Sequence, residues 1–191
     1  LWDQLVASTE YDGSLTDTEL KAMDKLAAVL IFTAQGIPFI HAGQEMLRTK
    51  FGSHNSYNQP DKINKIRWDY KQENIDIFKY YQGLIRLRRE HPMLRKTDAG
   101  EIRKTVTFLD PSPYQIPNNG LDYQIDRGHS KDNWEKILVL INPNHRKEQF
   151  TIPPGNWQLV VDHSQAGVDV IKNIHQTSLT LKPISALVLY Q

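Results

Sequence analysis

The chain has 191 residues, of which 39% are hydrophobic and 24% are charged, and its formal net charge is +1. This composition is typical of a folded protein with one large or two small domains, and the balanced charge argues against nucleic acid as a partner. The absence of Cys excludes disulfides and thiol chemistry, and the longest apolar run, Leu26 to Phe32, is far shorter than the ~20 residues of a membrane span, so no membrane partner is expected.

The first clear element is a helix that is predicted to begin at Thr16. Thr16 and Glu19 have the capping-box spacing, in which the hydroxyl and the carboxylate each bind a free backbone N–H group. Apolar residues then recur at three-four spacing along one predicted buried face: Leu20, Met23, Leu26, Ala27, Leu30 and Ile31. Gly36 is predicted to be the C′ residue after this packing helix.

The segment after this helix joins an apolar run to a polar loop. Ile37 to Ala42 has no polar residue except His41, which is typical of a parallel strand covered on both faces. Because helical patterns lie on both sides, the loop that leaves this strand is expected on the ligand-binding side of a sheet or barrel. The residues placed on this functional face are Gly43, Gln44, Glu45, Arg48, Asn55 and Tyr57.

The polar loop extends to about Trp68, and long ordered loops of this kind are often functional. A second helix is predicted from about Asn74 to Glu90, where Pro92 ends it. Its predicted buried stripe consists of Ile77, Phe78, Tyr81, Leu84 and Ile85. The basic cluster near its end, Arg86, Arg88 and Arg89, is interpreted as complementing the helix dipole.

From about Thr105 the sequence changes to short alternating segments separated by Pro, Gly, Asn and Asp, which predict antiparallel strands. The predicted strands are TVTFL, LDYQI, ILVLI, QFTI, WQLVV, VDVI, SLTL and ALVLY. Strands at such close spacing indicate a sandwich. The expected fold class is α/β plus all-β, with a boundary near Arg95 to Gly100 that separates residues 1–97 from residues 98–191.

The first half is too small to close a sheet of its own. Its single predicted strand and its helices present apolar faces that need partners. The chain also begins at Leu1, without Met or a signal-like segment. We therefore expect a fragment whose natural N-terminus is missing, and the cellular compartment is left open.

Few residues are candidates for chemistry. Glu45 follows the predicted strand, but no second carboxylate of a glycosidase-like pair accompanies it, so a supporting role is favoured. His41 is interpreted as a core or supporting residue with a functional role left open, and the seven His residues lack the spacing of metal ligands. The segment from Asn55 to Asn58 offers neutral hydrogen-bonding groups and one aromatic ring, which suit a hydroxyl-rich ligand.

Several of these stretches carry a family resemblance. Residues 36–45, GIPFIHAGQE, resemble the eighth-strand motif of the α-amylase superfamily of glycoside hydrolases, G-x-P-x-x-x-x-G-x-E, and residues 47–58, LRTKFGSHNSYN, resemble the following loop of bacterial type I pullulanases. Leu1-Trp2-Asp3 resembles the segment after the seventh-strand His-Asp-Asn motif of those enzymes. YYQGLIRLRREHPMLR is similar to their last barrel helix, and WEKILVLINP and PISALVLY are similar to their C-terminal sandwich.

The resemblance implies the last part of a (β/α)8 barrel followed by an antiparallel β-sandwich. It also implies a starch-debranching enzyme that cleaves α-1,6-glucosidic bonds in pullulan and branched glucans by a retaining mechanism. The family's Asp nucleophile, Glu acid and second Asp follow strands four, five and seven, and none maps onto this chain, which alone is expected to be inactive. The residues carried over are Asn55, Tyr57, Arg48 and His54 on the substrate side and Glu45 and His41 as supporting residues.

The implied partners are an α-glucan and the remainder of the barrel. No cofactor or metal is expected in this segment, and calcium elsewhere in the full enzyme is left open. An isoamylase or glycogen-debranching enzyme of the same superfamily is an alternative. A further alternative is a non-catalytic carbohydrate-binding or packing module in which Trp134 and Trp157 stack on sugars, although a Trp before a strand favours core packing.

Overall fold

The structure, a computed structural model, describes residues 1–12, 15–109, 113–114 and 116–191. The helices are α1 (Trp2–Asp12), α2 (Asp17–Thr33), α3 (Asp61–Asn64), α4 (Tyr70–Glu73), α5 (Ile75–Glu90) and α6 (Ala99–Thr105), with 3-10 turns at Gln44–Met46 and Pro92–Leu94. The strands are β1 (Val106–Thr107), β2 (Leu121–Asp126), β3 (Lys136–Asn142), β4 (Glu148–Thr151), β5 (Trp157–Val161), β6 (Lys172–Ile174), β7 (Ser178–Leu181) and β8 (Ser185–Tyr190). Across these described ranges no helix combines the length and hydropathy of a membrane span.

The strands form two antiparallel sheets, one with the order β1-β2-β3-β8-β5-β6 and one of β4 and β7. Side chains of β3 alternate between two cores, as the two-residue period of a strand requires. Val139 packs in the core that the sheet shares with the helices, whereas Leu138 and Leu140 pack in the core that it shares with β4 and β7. The chain is therefore layered as helices, large sheet and small sheet, and the two sheets fit the predicted antiparallel sandwich.

Two predictions for residues 98–191 are wrong: one predicted strand is absent, and one helix was missed. The segment VDVI, residues 168–171, is not a strand, because Asp162 turns the chain by accepting the N–H groups of Ser164 and Gln165. Pairing with β5 resumes only where Ile171 donates to the carbonyl of Leu159 at 2.7 Å, so the strand β6 follows later. Helix α6 was not predicted.

The N-terminus of α2 confirms the capping box. The Thr16 hydroxyl accepts the N–H of Glu19 at 3.2 Å, and the Glu19 carboxylate accepts the N–H of Thr16 at 2.8 Å. Gly36 has φ +93°, but the helix ends at the C-cap Ala34, so Gly36 is at C″ and not at C′.

The predicted buried face of α2 is only partly right. The face that meets the large sheet and α5 includes Ala28, Val29 and Phe32, whereas Leu30 is 37% exposed. Since α2 carries apolar residues on most of its circumference, periodicity alone did not identify this face.

Arg88, from the basic cluster, caps α2 and not its own helix. Its Nη1 donates to the carbonyls of Phe32 and Ala34 at 2.8 and 2.6 Å, and its Nη2 donates to the carbonyl of Gly36. Carbonyls at a helix C-terminus lack partners within the helix, and a cation there complements the helix dipole. Arg88 therefore complements a helix dipole as predicted, but the dipole is that of α2 and not that of its own helix α5.

Helix α5 ends at Glu90, as Pro92 predicted, and packs closely on the sandwich. A Cβ added at Gly83 would lie 1.9 Å from the carbonyl oxygen of Ala166, so only Gly fits this contact. The predicted stripe is again partly right, because Ile77 and Leu84 are fully buried but Ile85 is 38% exposed.

A stacked polar and aromatic cluster joins the end of α5 to the large sheet. The His91 ring stacks on Trp134 with 3.4 Å between centroids, and Trp134 stacks on Tyr190 at 3.8 Å. His91 Nδ1 lies 2.9 Å from the carboxylate of Asp132. Burial alone would raise the pKa of Asp132, but hydrogen bonds from His91 and from two backbone N–H groups hold it below its usual value.

Both Trp residues that were considered as sugar platforms lie in the core. Trp134 is 8% exposed and Trp157 is 1% exposed. The Trp157 indole N–H donates to the carbonyl of Pro153 at 2.9 Å, so its polar atom is also satisfied. Core packing, the favoured prediction for both, is confirmed.

The predicted strand from Ile37 to Ala42 is not formed. Residues 37–41 adopt neither helix nor strand, and Ile37 and Phe39 are 97% and 88% exposed. A strand requires a neighbouring strand for its backbone hydrogen bonds, and within the described residues none lies beside this segment.

Candidate functional site

The candidate site is the loop that follows this apolar segment, and it begins with a tight turn. Gly43 and Leu47, with φ +91° and +59°, flank the 3-10 turn Gln44–Met46. The carboxylate of Glu45 accepts the N–H of Gly43 at 3.1 Å. A Cβ at Gly43 would lie 2.7 Å from the side chain of Arg48, so this position combines left-handed backbone with a close approach. Glu45 thus contacts its own turn, and its supporting role in the enzyme stays a prediction.

Arg48 fastens the two ends of the loop. Its Nη1 donates to the carbonyl of Ala42 at 3.0 Å, and its Nη2 donates to the carbonyl of Asn64. The Asn64 side chain in turn donates to the carbonyls of Ser56 and Gln59 at 2.6 and 2.8 Å. Arg48, predicted as a substrate residue, therefore also has a structural role here.

Residues outside the predicted set hold the middle of the loop. The Asp3 carboxylate, on α1, accepts the Thr49 hydroxyl and accepts the N–H of Lys50 at 2.7 Å. The Lys50 ammonium donates to the hydroxyl of Ser56 at 2.6 Å. Asp3 lies in the Leu1-Trp2-Asp3 segment that resembles the family, but no sequence pattern predicted its pairing with Thr49 and Lys50.

Three of the predicted site residues meet in one cleft. This cleft, of about 520 Å³, lies between α1 and the loop. Its lining residues are Leu1, Asp3, Gln4, Ala7, His41, Arg48, Lys50, Gly52, Ser53, His54 and Ser56. Partial burial, and then the charges of Arg48 and Lys50, lower the pKa of His41 and so favour its neutral form.

The other two substrate candidates lie on the same loop outside this cleft. Asn55 is exposed, and Tyr57 is 83% exposed. Trp68, near the end of the loop, is also 69% exposed, and the guanidinium of Arg67 lies 4.7 Å from the ring centroid of Phe51. Polar contacts within the loop and with α1 thus hold the loop in place, and its polar and aromatic side chains face solvent.

A buried hydrogen-bonded chain lies behind the turn. The Gln44 amide donates to the Tyr81 hydroxyl at 3.0 Å, and this hydroxyl donates to the carboxylate of Asp24 at 3.0 Å. Tyr81 and Asp24 are both fully buried, and Asp24 Oδ1 has no hydrogen-bond partner. The chain connects the turn to α5 and α2. Glu45 borders a second cleft on this side, of about 1020 Å³, between the 40–45 segment and α5.

The buried carboxyl predicts a pH-dependent stability. Burial raises the pKa of Asp24 from 3.8 to about 7, against the opposing effects of the Tyr81 hydroxyl and Lys25. Since the folded state binds the proton more tightly, the stability from this group is full below about pH 4, falls by up to about 4 kcal/mol as the pH rises to about 7, and is then level. In Asp24→Asn this contribution is absent. In denaturant titrations, the free energy of unfolding of the variant should therefore rise relative to that of the wild type between pH 4 and 7. An equal pH slope in both proteins would contradict the prediction.

No group of three or more His, Asp or Glu side chains within the described part of the chain has the arrangement of a metal site. Among the described residues that line the 520 Å³ cleft, Asp3 is the single carboxylate, and it accepts hydrogen bonds from Thr49 and Lys50. The groups that the loop does present, the exposed Asn55 amide and the exposed Tyr57 ring, are of kinds that can bind a hydroxyl-rich molecule.

Comparisons with known proteins bear on the whole chain. The family described as "Pullulanase, all-beta domain" matches residues 102–165. Pullulanase of Bacillus subtilis strain 168 is 31% identical over 152 residues, which cover 80% of this chain and 20% of that protein. An isoamylase of Flavobacterium sp. is 28% identical, over 78% of this chain and 22% of its own length. A glycogen debranching enzyme of Dickeya chrysanthemi is 25% identical, over 75% of this chain and 22% of its own.

Solved structures give the same result for the fold. Pullulanase from Bacillus acidopullulyticus superposes with a TM-score of 0.90 and 35% identity, covering 100% of this chain and 22% of that one. A pullulanase from Anoxybacillus sp. LM18-11 that is complexed with maltotetraose gives a TM-score of 0.85 with 26% identity, covering 100% and 26%. The chain thus spans about a fifth of the length of the curated relatives that it matches.

Proposed function

We propose that this chain, a relative of pullulanases, isoamylases and glycogen debranching enzymes, is the C-terminal portion of a starch-debranching glycoside hydrolase. In this proposal residues 1–97 are the last part of the catalytic (β/α)8 barrel and residues 98–191 are its C-terminal sandwich domain. The full enzyme cleaves α-1,6-glucosidic bonds by a retaining mechanism, with the α-glucan and the rest of the barrel as partners. The relatives support this, since each is about five times as long as the matched region.

The observation that carries the proposal is the uncovered apolar segment before the turn. Ile37 and Phe39 are almost fully exposed, although they lie in the stretch whose pattern predicts a strand buried on both faces. Neighbouring strands would provide the missing hydrogen bonds and cover these side chains. The segment therefore fits a barrel strand whose partners belong to another part of the enzyme.

The loop after this segment forms one wall of the substrate site in our proposal. Asn55 and Tyr57 contact the glucan, and His54 and Arg48 line the cleft between α1 and the loop. Retaining hydrolysis requires two carboxyl groups about 5 Å apart that are free to react, whereas the Glu45 carboxylate accepts the N–H of Gly43 within its own turn. In our proposal the Asp nucleophile, the Glu acid and the second Asp follow other strands of the barrel. Maltotetraose in a related pullulanase supports a glucan as the ligand.

The test is hydrolysis of pullulan by two proteins, the full-length parent enzyme and the 191-residue chain alone. We expect the parent to release maltotriose and the chain to release no detectable sugar, because the reacting carboxylates are absent from it. A parent that cleaves only α-1,4 bonds would overturn the debranching assignment. Cleavage by the purified chain would show that the carboxylates are within it.

An isoamylase is the second candidate, and the similarity to the Flavobacterium isoamylase favours it. A parent that debranches amylopectin or glycogen but leaves pullulan largely uncut would favour this candidate over a pullulanase, so the same assay with two substrates separates the alternatives. The alternative of a non-catalytic carbohydrate-binding module has less support than the two enzymes. Trp134 is stacked between two rings and Trp157 is packed in the core, so neither offers a free ring face to a sugar.

A further inference from the structure

The turn that faces the proposed glucan site is held in an unfavourable backbone conformation. Leu47 has φ +59°, a region that costs a residue with a Cβ free energy unless the surroundings enforce it. The enforcing contacts come from behind, where Met46 and Leu47 are buried at 1% and 4% exposure and the Asn74 side chain donates to the carbonyl of Met46 at 3.3 Å. The position of the loop thus depends on groups that do not face the ligand.

The polar chain from Gln44 to Asp24 is costly at its buried position. Asp24 is fully buried, is hydrogen-bonded by one side chain and has one oxygen without a partner. An apolar pair of similar size would pack between α2 and α5 without this desolvation cost. A polar network that lowers stability is most readily explained where it serves a site, and here it ends on the first residue of the turn.

We propose that Tyr81, held by Asp24, is a positioning residue. Through Gln44 it fixes the 3-10 turn and the residues that flank it, 43–48, and so fixes the position of the glucan-facing loop. This inference rests on the proposed function, because it is that function which gives the loop a substrate. Tyr81 touches neither the glucan nor the reacting atoms. Loss of its hydroxyl frees the Gln44 amide and loosens the turn, which weakens substrate binding more than the chemical step.

The experiment compares Tyr81→Phe, Asp24→Asn and Tyr80→Phe in the full-length enzyme. Tyr80 is the matched control, because its buried hydroxyl donates at 2.8 Å to the carbonyl of Asp162, on the sandwich side of the same helix. For Tyr81→Phe we expect the KM for pullulan to rise about three- to tenfold with kcat within about twofold. Tyr80→Phe should keep the wild-type KM. Asp24→Asn keeps an oxygen acceptor for Tyr81 and should raise the KM less than Tyr81→Phe does.

A second readout does not depend on activity. The N–H groups of Leu47 and Arg48 donate to the carbonyls of Gln44 and Gly43 at 3.1 and 3.0 Å, so their hydrogen exchange reports opening of the turn. It should be about tenfold faster in Tyr81→Phe, with exchange in β3 unchanged. Unchanged exchange, or faster exchange with a wild-type KM, would overturn the inference. If the parent enzyme does not cleave α-1,6 bonds, the proposed function fails, and exchange alone decides whether Tyr81 positions the turn.

Discussion

Replacing Arg88 by Met should lower the free energy of unfolding of the chain by about 3 kcal/mol. The Met side chain fills much of the same space but leaves the carbonyls of Phe32, Ala34 and Gly36 without their charged donor. Each hydrogen bond to a charged group contributes about 1.5 to 3 kcal/mol, and removing a buried cation recovers part of that sum. Urea denaturation monitored by the core Trp residues would measure the change.

Arg86→Met is the matched control on the same helix. Arg86 is exposed and pairs with Glu90 and Asp169 at the surface, where ion pairs contribute little, so its loss should shift the denaturation midpoint only slightly. Arg88→Lys keeps the cation but not the fork that reaches several carbonyls, and should recover only part of the stability. Equal midpoints for the two Met variants would show that Arg88 does not cap α2.

The difference between these two arginines shows which parts of the fold the sequence predicts. The capping box of Thr16 and Glu19 was predicted because both partners lie within one turn of helix. The cap formed by Arg88 joins residues 52 to 56 positions apart. The spacing of four from Leu84 places Arg88 and not Arg86 on the buried stripe, but it does not identify the carbonyls that Arg88 reaches. Residue type identified a cation near a helix end, and only the packing of α5 on α2 decided which helix it serves.

The same limit applies at the candidate site. The apolar run and the polar loop were identified from the sequence, because hydrophobic patterning and glycine positions are local. The contacts of Asp3 with Thr49 and Lys50 were not, since they cross 46 and 47 residues. The absent strand at residues 37–42 has another cause. Its pattern is that of a covered strand, and the strands that would cover it are not among the described residues.

Replacing Tyr57 or Asn55 by Ala in the full-length enzyme should lower kcat/KM for pullulan by about ten- to a hundredfold. The expected loss comes from binding, because an exposed aromatic ring and a neutral amide are groups that stack on and hydrogen-bond to sugars. Tyr57 is 83% exposed and Asn55 is exposed, so neither substitution should change the unfolding transition. Steady-state kinetics on pullulan, with thermal unfolding measured on the same preparations, would test both statements.

The control for this pair is Asn173→Ala, an exposed amide on β6 of the sandwich, which should leave kcat/KM unchanged. Arg48→Ala gives a useful contrast, because Arg48 bonds the carbonyls of Ala42 and Asn64 and its loss should weaken both folding of the loop and activity. Wild-type kinetics for Tyr57→Ala and Asn55→Ala together would mean that the glucan does not approach the outer surface of this loop. The substrate wall would then be the cleft between α1 and the loop, with His41 and His54 among its polar groups.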